Sequence, residues 1–297
     1  MIGFALPALL SLLAACGEFT AEIDILEGGT QLAFVGYGSE DNDEDRDALW
    51  VMDIGGGPPA RLPLSSGSPS SPAWSPDGRR IAFALNLEMF PDIYIINTDG
   101  SGLTRLTDNP EPDSHPAWSP DGTRIAFESG WESSRDIYVM RADGSALIRL
   151  TDSPWDDTEP TWSPDGKRIA YASESDTVIG EKELFVVNSD GSEKIQLTNG
   201  DAMSWDPAWS PDGQRIAFVS GWSNNSEIYL INADGTGLVR LTEGIDNLSP
   251  TWSPDGSQIA YIDRPYVLMS IFVMNADGSQ KQELLSEWAI WDLTWGP

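Results

Sequence analysis

The chain is poor in basic residues. Its 297 residues include 17 Lys and Arg against 47 Asp and Glu, so the formal net charge is −30. Nucleic-acid binding requires clustered cations that displace counterions from phosphates, and this composition excludes it. The same charge disfavours peripheral binding to anionic lipid headgroups. Cationic partners, metal ions and neutral ligands remain compatible with the composition.

Cysteine and helical periodicity are also scarce. Cys16 is the only cysteine, so no disulfide can form within the chain. A chain of this length can bury about 75% of its unfolded surface and needs no such cross-link. An apolar fraction of 40% and 13 Trp residues exclude a disordered chain. Beyond Cys16, no stretch of ten or more residues has the 3.6-residue periodicity of a helix, which favours an all-β fold.

The first fifteen residues carry no charge. A run of this length is too short to span a bilayer as a helix but fits the apolar part of an export signal. It ends in Leu-Ala-Ala-Cys at positions 13–16, which resembles the lipobox of bacterial lipoproteins. The resemblance implies a signal peptide at residues 1–15 and a lipidated Cys16 with a short tether at residues 16–29. We therefore expect an exported protein, anchored by lipid at the periplasmic face or surface of a bacterial cell envelope.

A pentapeptide recurs along the rest of the chain. Trp-Ser-Pro-Asp-Gly occurs five times at intervals of 43 to 47 residues, and a degenerate copy ends the chain at residues 295–297. The full copies begin at Trp74, Trp118, Trp162, Trp209 and Trp252. A period of this length without helices is typical of four short strands per repeat, which is the blade of a β-propeller.

The repeat that contains Trp118 shows the predicted strands. Residues 114–118 lead into a Ser-Pro-Asp-Gly turn, and β-branched and aromatic residues follow at 124–127 and 136–140. A second turn precedes an outer strand at 147–151. The first repeat has three such strands, at residues 31–37, 48–54 and 60–64, but no inner strand. We expect residues 291–295 to supply it, which closes a single six-bladed domain over residues 30–297.

These repeats resemble those of TolB-type β-propellers. The shared pattern is Trp-Ser-Pro-Asp-Gly-x-x-Ile-Ala followed by Phe or Tyr, and then Ile-Tyr and a second Asp-Gly. The resemblance covers nearly all of the chain after the tether and implies a six-bladed TolB-like propeller. TolB proteins also carry an N-terminal α/β domain, and we expect this chain to lack it because residues 17–29 are too few to form one.

Charged residues at repeat positions are predicted to be structural. The Asp before each turn Gly can accept backbone N–H groups, so we do not expect it to be catalytic. Seven arginines also recur, four of them six residues after the repeat Trp and three just before Leu-Thr, and we expect them to pair with scaffold carboxylates. They are Arg80, Arg124, Arg168, Arg215, Arg105, Arg149 and Arg240.

Functional residues are expected on the face opposite the uniform turns, because its loops differ in every repeat. One residue per repeat lies three positions before the repeat Trp, at the start of the inner strand, and these should form a polar ring at the channel mouth. They are Ser71, His115, Glu159, Asp206, Ser249 and Asp292. The imidazole of His115 and the carboxylates of Glu159, Asp206 and Asp292 could bind a divalent cation. Simple solvation of the ring is the alternative, and the sequence requires no cofactor.

Seven Trp residues lie outside the repeat position. Trp50 is predicted to be part of a strand core. The other six are candidates for binding a partner, because an indole stacks on sugar rings and contacts apolar or cationic groups of a peptide. They are Trp131, Trp155, Trp205, Trp222, Trp288 and Trp291. The alternative is that they plug the channel mouth and pack between blades.

An acidic loop at residues 41–47 is similar to a calcium-binding loop. Its alternating Asp residues fit, but Arg46 stands where that loop needs Gly, and Met52 stands where it needs Glu. A solvated acidic loop is therefore favoured over a metal site.

The favoured function is that of a non-catalytic binding module for an envelope protein or glycan. No Gly-x-Ser-x-Gly motif occurs, and Cys16 is predicted to be lipidated, so the sequence offers little for nucleophilic hydrolysis. Pectate-type lyases with related repeats cluster several histidines on a metal, whereas His115 is the only histidine here. The alternative is a carbohydrate-active lyase or glycosidase that uses the carboxylates of Glu159, Asp206 or Asp292, provided that two of them lie about 5 to 10 Å apart. We expect a monomeric propeller whose membrane contact is made by the lipid alone.

Overall fold

The computed structural model describes residues 31–38, 47–55, 57–130, 134–174, 181–200, 202–222, 225–265 and 268–297. The predicted signal peptide, Cys16, the tether, Trp131 and residues 41–46 of the acidic loop lie outside these ranges. All regular secondary structure within these ranges is β-strand. Nowhere in these ranges is there a helix with the length and apolarity that crossing a bilayer demands.

Twenty-three strands are described, and they are named in chain order. The first seven are β1 Gln31–Gly38, β2 Ala48–Asp53, β3 Ala60–Arg61, β4 Ser68–Trp74, β5 Arg80–Asn86, β6 Pro91–Asn97 and β7 Thr104–Arg105. The next eight are β8 Asp113–Trp118, β9 Arg124–Ser129, β10 Asp136–Arg141, β11 Ile148–Arg149, β12 Asp157–Trp162, β13 Arg168–Glu174, β14 Lys182–Asn188 and β15 Ile195–Gln196. The last eight are β16 Met203–Trp209, β17 Arg215–Trp222, β18 Asn225–Asn232, β19 Val239–Arg240, β20 Asn247–Trp252, β21 Gln258–Asp263, β22 Met269–Asn275 and β23 Gln282–Trp295.

The strands form antiparallel sheets in which sequence neighbours pair. Four sheets have four strands each, running β4–β7, β8–β11, β12–β15 and β16–β19 from the inner to the outer strand. The remaining strands form one seven-stranded sheet in the order β20-β21-β22-β23-β1-β2-β3. The predicted all-β propeller built from four-stranded repeats is therefore confirmed.

The outer strands are shorter than predicted. Residues 147–151 were expected to pair, but β11 spans only Ile148–Arg149. The next residue, Leu150, still donates its N–H to the Ile137 carbonyl at 2.8 Å. The Thr151 hydroxyl then accepts the Ile137 N–H at 3.0 Å, so a side chain satisfies a group that a longer strand would have paired.

The C-terminal strand pairs into the first repeat, as predicted. The register of β23 with β1 runs from Leu32 opposite Trp295 to Gly38 opposite Trp288. The earlier part of β23 pairs with β22, so this 14-residue strand is continuous through two repeats. The described strands therefore form five sheets, because β23 joins two repeats into one, and the count of six blades stays a prediction.

The Ser-Pro-Asp-Gly turns are held by the side chain of their Asp. Asp121 Oδ1 accepts the Ser119 hydroxyl at 2.6 Å and the Thr123 N–H at 3.0 Å. The Ser119 hydrogen bond is the largest of the contacts that lower the pKa of Asp121 to about 2. The next residue, Gly122, has a φ of 66°, a backbone conformation that favours glycine. The structural role predicted for the turn aspartates is confirmed.

The repeat Trp residues pack between neighbouring repeats, and an Arg of the preceding repeat lies over each of four of them. Trp162 is 6% exposed, and its Nε1 donates to the Ala117 carbonyl of the preceding inner strand at 3.1 Å. The guanidinium of Arg124 lies 4.4 Å from the centroid of the Trp162 ring. The same stacking is made by Arg80 on Trp118, Arg168 on Trp209 and Arg215 on Trp252.

The expectation that all seven repeat arginines pair with carboxylates is not met by a direct ion pair at these four in the described ranges. Each still contributes, after the serine hydrogen bond, to the lowered pKa of a turn aspartate, namely Asp77, Asp121, Asp165 and Asp212. The four guanidinium groups stack on an aromatic ring across a repeat boundary, a contact that sequence neighbours do not reveal. The expectation is confirmed for the other three, whose nitrogen-to-oxygen distances are 2.6 to 2.7 Å. These pairs are Arg105 with Asp92, Arg149 with Asp136 and Arg240 with Glu227.

Candidate functional site

The predicted ring begins with a repeated backbone distortion. Five ring residues have φ between 49° and 57°, and the register with the next strand shifts across each of them and the residue that follows it. They are Ser71, His115, Glu159, Asp206 and Ser249. Left-handed backbone is uncommon for residues other than glycine, and bulges of this kind are frequent next to functional sites. The ring is therefore formed by the same backbone bulge in successive inner strands.

The ring surrounds a cavity of about 170 Å³ at the centre of the propeller. The cavity wall takes three consecutive residues from each inner strand, namely the ring residue and the two that follow it. The segment of β23 that contains Asp292 contributes in the same way as the inner strands of the other repeats. All six predicted ring positions thus lie around one space.

The ring carboxylates hold the backbone of neighbouring repeats. Asp292 Oδ2 accepts the Ser71 N–H at 2.9 Å, and Glu159 Oε2 accepts the Asp206 N–H at 2.7 Å. Glu128, which is buried on β9, accepts the Glu159 N–H at 3.0 Å. Part of the hydrogen-bonding capacity of each of these carboxylates is therefore used by the scaffold.

His115 is paired with the buried Glu128, its Nδ1 lying 3.2 Å from Glu128 Oε1. Burial opposes the charged imidazolium, but the carboxylates of Glu128, Glu159 and Asp292 outweigh it and raise the pKa of His115 to about 10. Burial also opposes the charge on Glu128, yet His115 and the Arg135 guanidinium hold the pKa of Glu128 well below its usual range. At neutral pH His115 is therefore a cation without a free lone pair for a metal.

Asp206 has the opposite perturbation. Burial and the carboxylates of Glu159 and Asp292 raise the pKa of Asp206 to about 7. Within the described ranges, no three side chains of His, Cys, Asp or Glu are grouped so that they could hold a metal ion. A divalent cation bound by the ring stays a prediction from the sequence. Lys182, whose Nζ lies 3.5 Å from Glu159 Oε1, supplies a cation beside the same carboxylates.

Glu128 and Arg135 are site residues that sequence reasoning missed. Arg135 contacts Glu128 at 3.2 Å and Asp156 at 2.7 Å, so it links β9 to the loop before β12. The signal for Glu128 was present, because the other repeats with a full Ile-Ala-Phe or Ile-Ala-Tyr motif have an apolar residue at its position. Those residues are Ala84, Ala172, Val219 and Ile262.

Two of the candidate Trp residues are on the surface. Trp222 ends β17 and is 48% exposed, and Trp291 on β23 is 44% exposed. Trp291 Nε1 donates to Asp47 Oδ1 at 2.8 Å. Trp155 is half-buried and lines a cavity beside β14.

Two other candidates are half-buried and pack against apolar cores, and their assignment as partner-binding residues stays a prediction. Trp288 makes edge contacts with Phe34 and Trp50, with ring centroids 5.4 and 4.9 Å apart. Trp205 packs against the apolar cores of two neighbouring repeats. These two indoles fill space between repeats, which was the alternative considered for the whole set.

Among the residues that the structure describes, the exposed large apolar side chains form two groups of six. One group lies on or just before the outer strands at recurring positions: Leu103, Leu147, Ile148, Ile195, Leu238 and Val239. The other group lies in the loops and strand ends of the variable face: Leu87, Met89, Trp222, Ile245, Leu268 and Trp291. In the part of the chain that the structure describes, the Ser-Pro-Asp-Gly and Asp-Gly-Ser turns contribute no exposed large apolar side chain.

The fold and the bulged ring define a β-propeller with a polar channel mouth. The chain matches the family described as TolB beta propeller domain over residues 26–135 and 130–297. These matches span well over half of the chain, and the chain belongs to this family. The resemblance expected from the repeats is thereby confirmed.

Individual relatives cover the chain to different extents. The Tol-Pal system protein TolB of Syntrophus aciditrophicus (strain SB) is 48% identical over 44 residues, which are 14% of this chain and 10% of that protein. The crystal structure of TolB from Acinetobacter baumannii is 26% identical with a TM-score of 0.78, and the match covers 91% of this chain and 67% of that one. A chain of a nidogen/laminin complex is similar in fold alone, with 14% identity, a TM-score of 0.73, and coverage of 91% and 99%.

Proposed function

We propose that this protein is a non-catalytic scaffold of the bacterial cell envelope that binds a protein partner on its variable-loop face. The observation that carries the proposal is the distribution of exposed apolar side chains. One group of six lies on that face at positions that differ between repeats, whereas the turns of the opposite face are uniform and polar. Apolar side chains on variable loops of a rigid scaffold are typical of a partner-binding surface.

The chemistry of this face favours a protein over a glycan. Leu87, Met89 and Leu268 are aliphatic and exposed by 45 to 75%. Aliphatic side chains find complementary apolar groups on a protein, whereas a sugar ring is bound chiefly by aromatic faces and hydrogen bonds. Trp222 and Trp291 suit either ligand, so capture of a glycan is the alternative outcome of the experiment below.

The envelope location is proposed from family and sequence together. The relative from Syntrophus aciditrophicus is a Tol-Pal system protein, and the Leu-Ala-Ala-Cys sequence at positions 13–16 supports a lipid on Cys16. Cells fed a radiolabelled fatty acid should label the wild-type protein but not the Cys16→Ser variant. An unlabelled wild-type protein would contradict the anchor.

The partner face is tested with the intact protein as bait for detergent-solubilised envelope. We expect one protein to be captured in a stoichiometric amount. Trp222→Ala and Trp291→Ala should each weaken the measured affinity at least tenfold, which corresponds to about 1.4 kcal/mol. Ile148→Ala and Val239→Ala are the controls, because these side chains are at least as exposed as the two indoles but lie on outer strands. Equal losses in all four variants would count against a partner site on the variable face.

A carbohydrate-active enzyme is the second candidate function. The observation that favours it is the convergence of Glu159, Asp206 and Asp292 on one cavity, where burial and the other two carboxylates raise the pKa of Asp206 to about 7, as suits a general acid. Incubation with a panel of oligosaccharides, followed by mass spectrometry, tests this function. If the protein is an enzyme, Glu159→Gln should lose turnover and Trp222→Ala should keep it. If the wild type turns over none of the sugars, the enzyme function is contradicted and the scaffold function remains.

A further inference from the structure

The repeat formed by β12–β15 differs from three other repeats at its outer strand. In those three, an Arg just before Leu-Thr pairs with an acid near the start of the third strand, as described above for Arg105, Arg149 and Arg240. Here the acid is Glu183, and Gln196 stands in the place of the Arg. Gln196 Nε2 donates to the Thr198 carbonyl at 2.9 Å, within its own segment. The carboxylate of Glu183 is therefore left without the guanidinium that its counterparts have.

Glu227 shows what a complete arrangement looks like, because it is also a Glu at this position. Its carboxylate accepts the Thr242 hydroxyl at 2.5 Å and the Gly244 N–H at 2.7 Å. It also accepts Arg240 Nη2 at 2.6 Å and Asn247 Nδ2 at 2.9 Å. Four donors thus saturate the lone pairs of this buried carboxylate.

Glu183 keeps half of this arrangement. Its carboxylate accepts the Thr198 hydroxyl and, at 3.1 Å, the Gly200 N–H. Ser204 stands where Asn247 stands in the next repeat, and Gln196 replaces the Arg. Glu183 is 5% exposed, and among the described residues no cation lies within ion-pair distance of it. Two acceptor positions of a buried carboxylate are therefore available to a donor from outside the repeat.

A cavity lies where the Arg side chain would be. It has a volume of about 570 Å³ and is lined by Glu183 and Gln196. The corresponding cavity of the β4–β7 repeat, where Arg105 occupies the equivalent position, has about 230 Å³. The repeat without the Arg is thus the one with the larger space.

The wall of this cavity suits a planar cation. Glu174, Glu181 and Glu183 line it together with one cation, Lys194. The Lys194 ammonium lies 4.2 Å from the centroid of the Phe185 ring, so it is engaged with an aromatic face. The half-buried indole of Trp155 also lines the cavity. Carboxylates beside an aromatic surface are the groups that bind a guanidinium by paired hydrogen bonds and stacking.

We propose that this cavity binds the guanidinium group of an external arginine, which takes the place of the missing scaffold arginine against Glu183. The preference for guanidinium over ammonium follows from the other repeats, where the equivalent acids hold a guanidinium at 2.6 to 2.7 Å. The arginine is either a side chain of a peptide or a free small molecule. The cavity lies among loops of the variable face, between Trp155 and Glu174, but its occupation by a guanidinium does not depend on the protein partner proposed above.

The probe is N-acetyl-arginine amide, and the readout is the NMR shift of the Gly200 amide, which donates to Glu183. A single anchored group is expected to bind in the roughly millimolar range. N-acetyl-citrulline amide has the same shape without the charge and should bind at least tenfold more weakly. Gly-Arg-Gly binding more tightly than free L-arginine would identify a peptide as the source, and the reverse order would identify the free molecule.

Gln196→Arg supplies the missing group from within the chain. It should raise the melting temperature by about 2 °C and weaken probe binding at least tenfold, because the new side chain occupies the cavity. Ile195→Arg is the matched control, since it adds the same charge at an exposed neighbour whose side chain points to the other face of the strand. Glu183→Gln should also weaken binding at least tenfold. Unchanged binding in Gln196→Arg, equal binding of citrulline, or no shift up to the solubility of the probe would overturn the proposal.

Discussion

His115 and the buried Glu128 give the propeller a pH dependence at the scale of single residues. Burial opposes the charge on His115, but Glu128 raises the pKa of His115 to about 10 in the folded chain, whereas an unfolded His titrates near about 6.5. A group whose pKa is raised on folding stabilises the fold fully below its unfolded pKa. That contribution is lost as the pH rises through the folded pKa.

We therefore expect His115→Gln to lower the free energy of unfolding by about 1 to 2 kcal/mol at about pH 6. This magnitude allows for solvent screening, because 36% of the side chain is exposed. The difference from the wild type should shrink from about pH 7 upward and vanish above about pH 10. Urea unfolding at several pH values measures it. The control is Ser71→Ala, at an uncharged ring position, whose difference from the wild type in free energy of unfolding should not change with pH. If the difference for His115→Gln were also constant, the pairing of His115 with Glu128 would contribute nothing to stability.

Single residues also show where prediction from the sequence reached its limit. The ring positions and the turn aspartates could be predicted because each recurs in register with the repeat. The stacking of Arg124 on Trp162 could not, because it depends on how one repeat packs against the next. Trp205 and Trp288 look like surface candidates in the sequence, yet both are half-buried, because they lie on β16 and β23 and pack against apolar cores. Gln196 is visible in the sequence as a break in a repeated position, but its meaning requires the cavity beside it.

At the scale of elements, the closing pair of β1 and β23 depends on a close backbone approach. Gly36 lies at the register shift of this pair, and a Cβ at its position would be 2.2 Å from the Ala289 carbonyl oxygen. A backbone oxygen within a sheet cannot move away cheaply, so Gly36→Ala must push β1 from β23. We expect a loss of roughly 1 to 3 kcal/mol in the free energy of unfolding.

Urea unfolding with a matched glycine variant measures this effect. Gly200→Ala is the control, because the nearest atom to its added Cβ is the Ala202 nitrogen at 3.9 Å. The control should change the midpoint little. A Gly36→Ala protein as stable as Gly200→Ala would mean that the closing strands are loosely paired.

The elements were predicted well where the repeat is strongest and less well at its edges. Inner and second strands agree within a few residues, because the Trp and Ile-Ala motifs that mark them recur in register, and the Ile-Ala residues are buried on both faces of the sheet. The outer strands are short because a Thr hydroxyl replaces a backbone partner, as at Thr151. The continuity of β23 was not predicted. Residues 282–295 carry no Asp-Gly turn that would divide them, and register shifts accompany the passage of the strand from β22 to β1.

At the scale of the whole molecule, the propeller separates two kinds of surface. Uniform polar turns cover one face, and the other face combines the polar ring with exposed apolar side chains at differing positions. The proposed guanidinium site arises from the same architecture, because a repeat that loses one scaffold side chain gains a cavity while its neighbours keep the sheet in place. Repetition therefore lets single positions vary without loss of the fold.

Ring closure is the property on which this tolerance depends. Residues 291–297 carry the pairing of β23 with Leu32–Val35, and Asp292 also holds the Ser71 N–H at 2.9 Å. Their deletion should expose the edge of β1 and open the central cavity, and unpaired strand edges associate. We expect the truncated chain to elute as soluble aggregates in size-exclusion chromatography and to lose its near-UV circular dichroism signal. Removal of Pro297 alone is the control and should leave a monomer. If the protein without residues 291–297 were monomeric and fully folded, the closure would be refuted. The ring would then hold together without the pairing of β23 with β1.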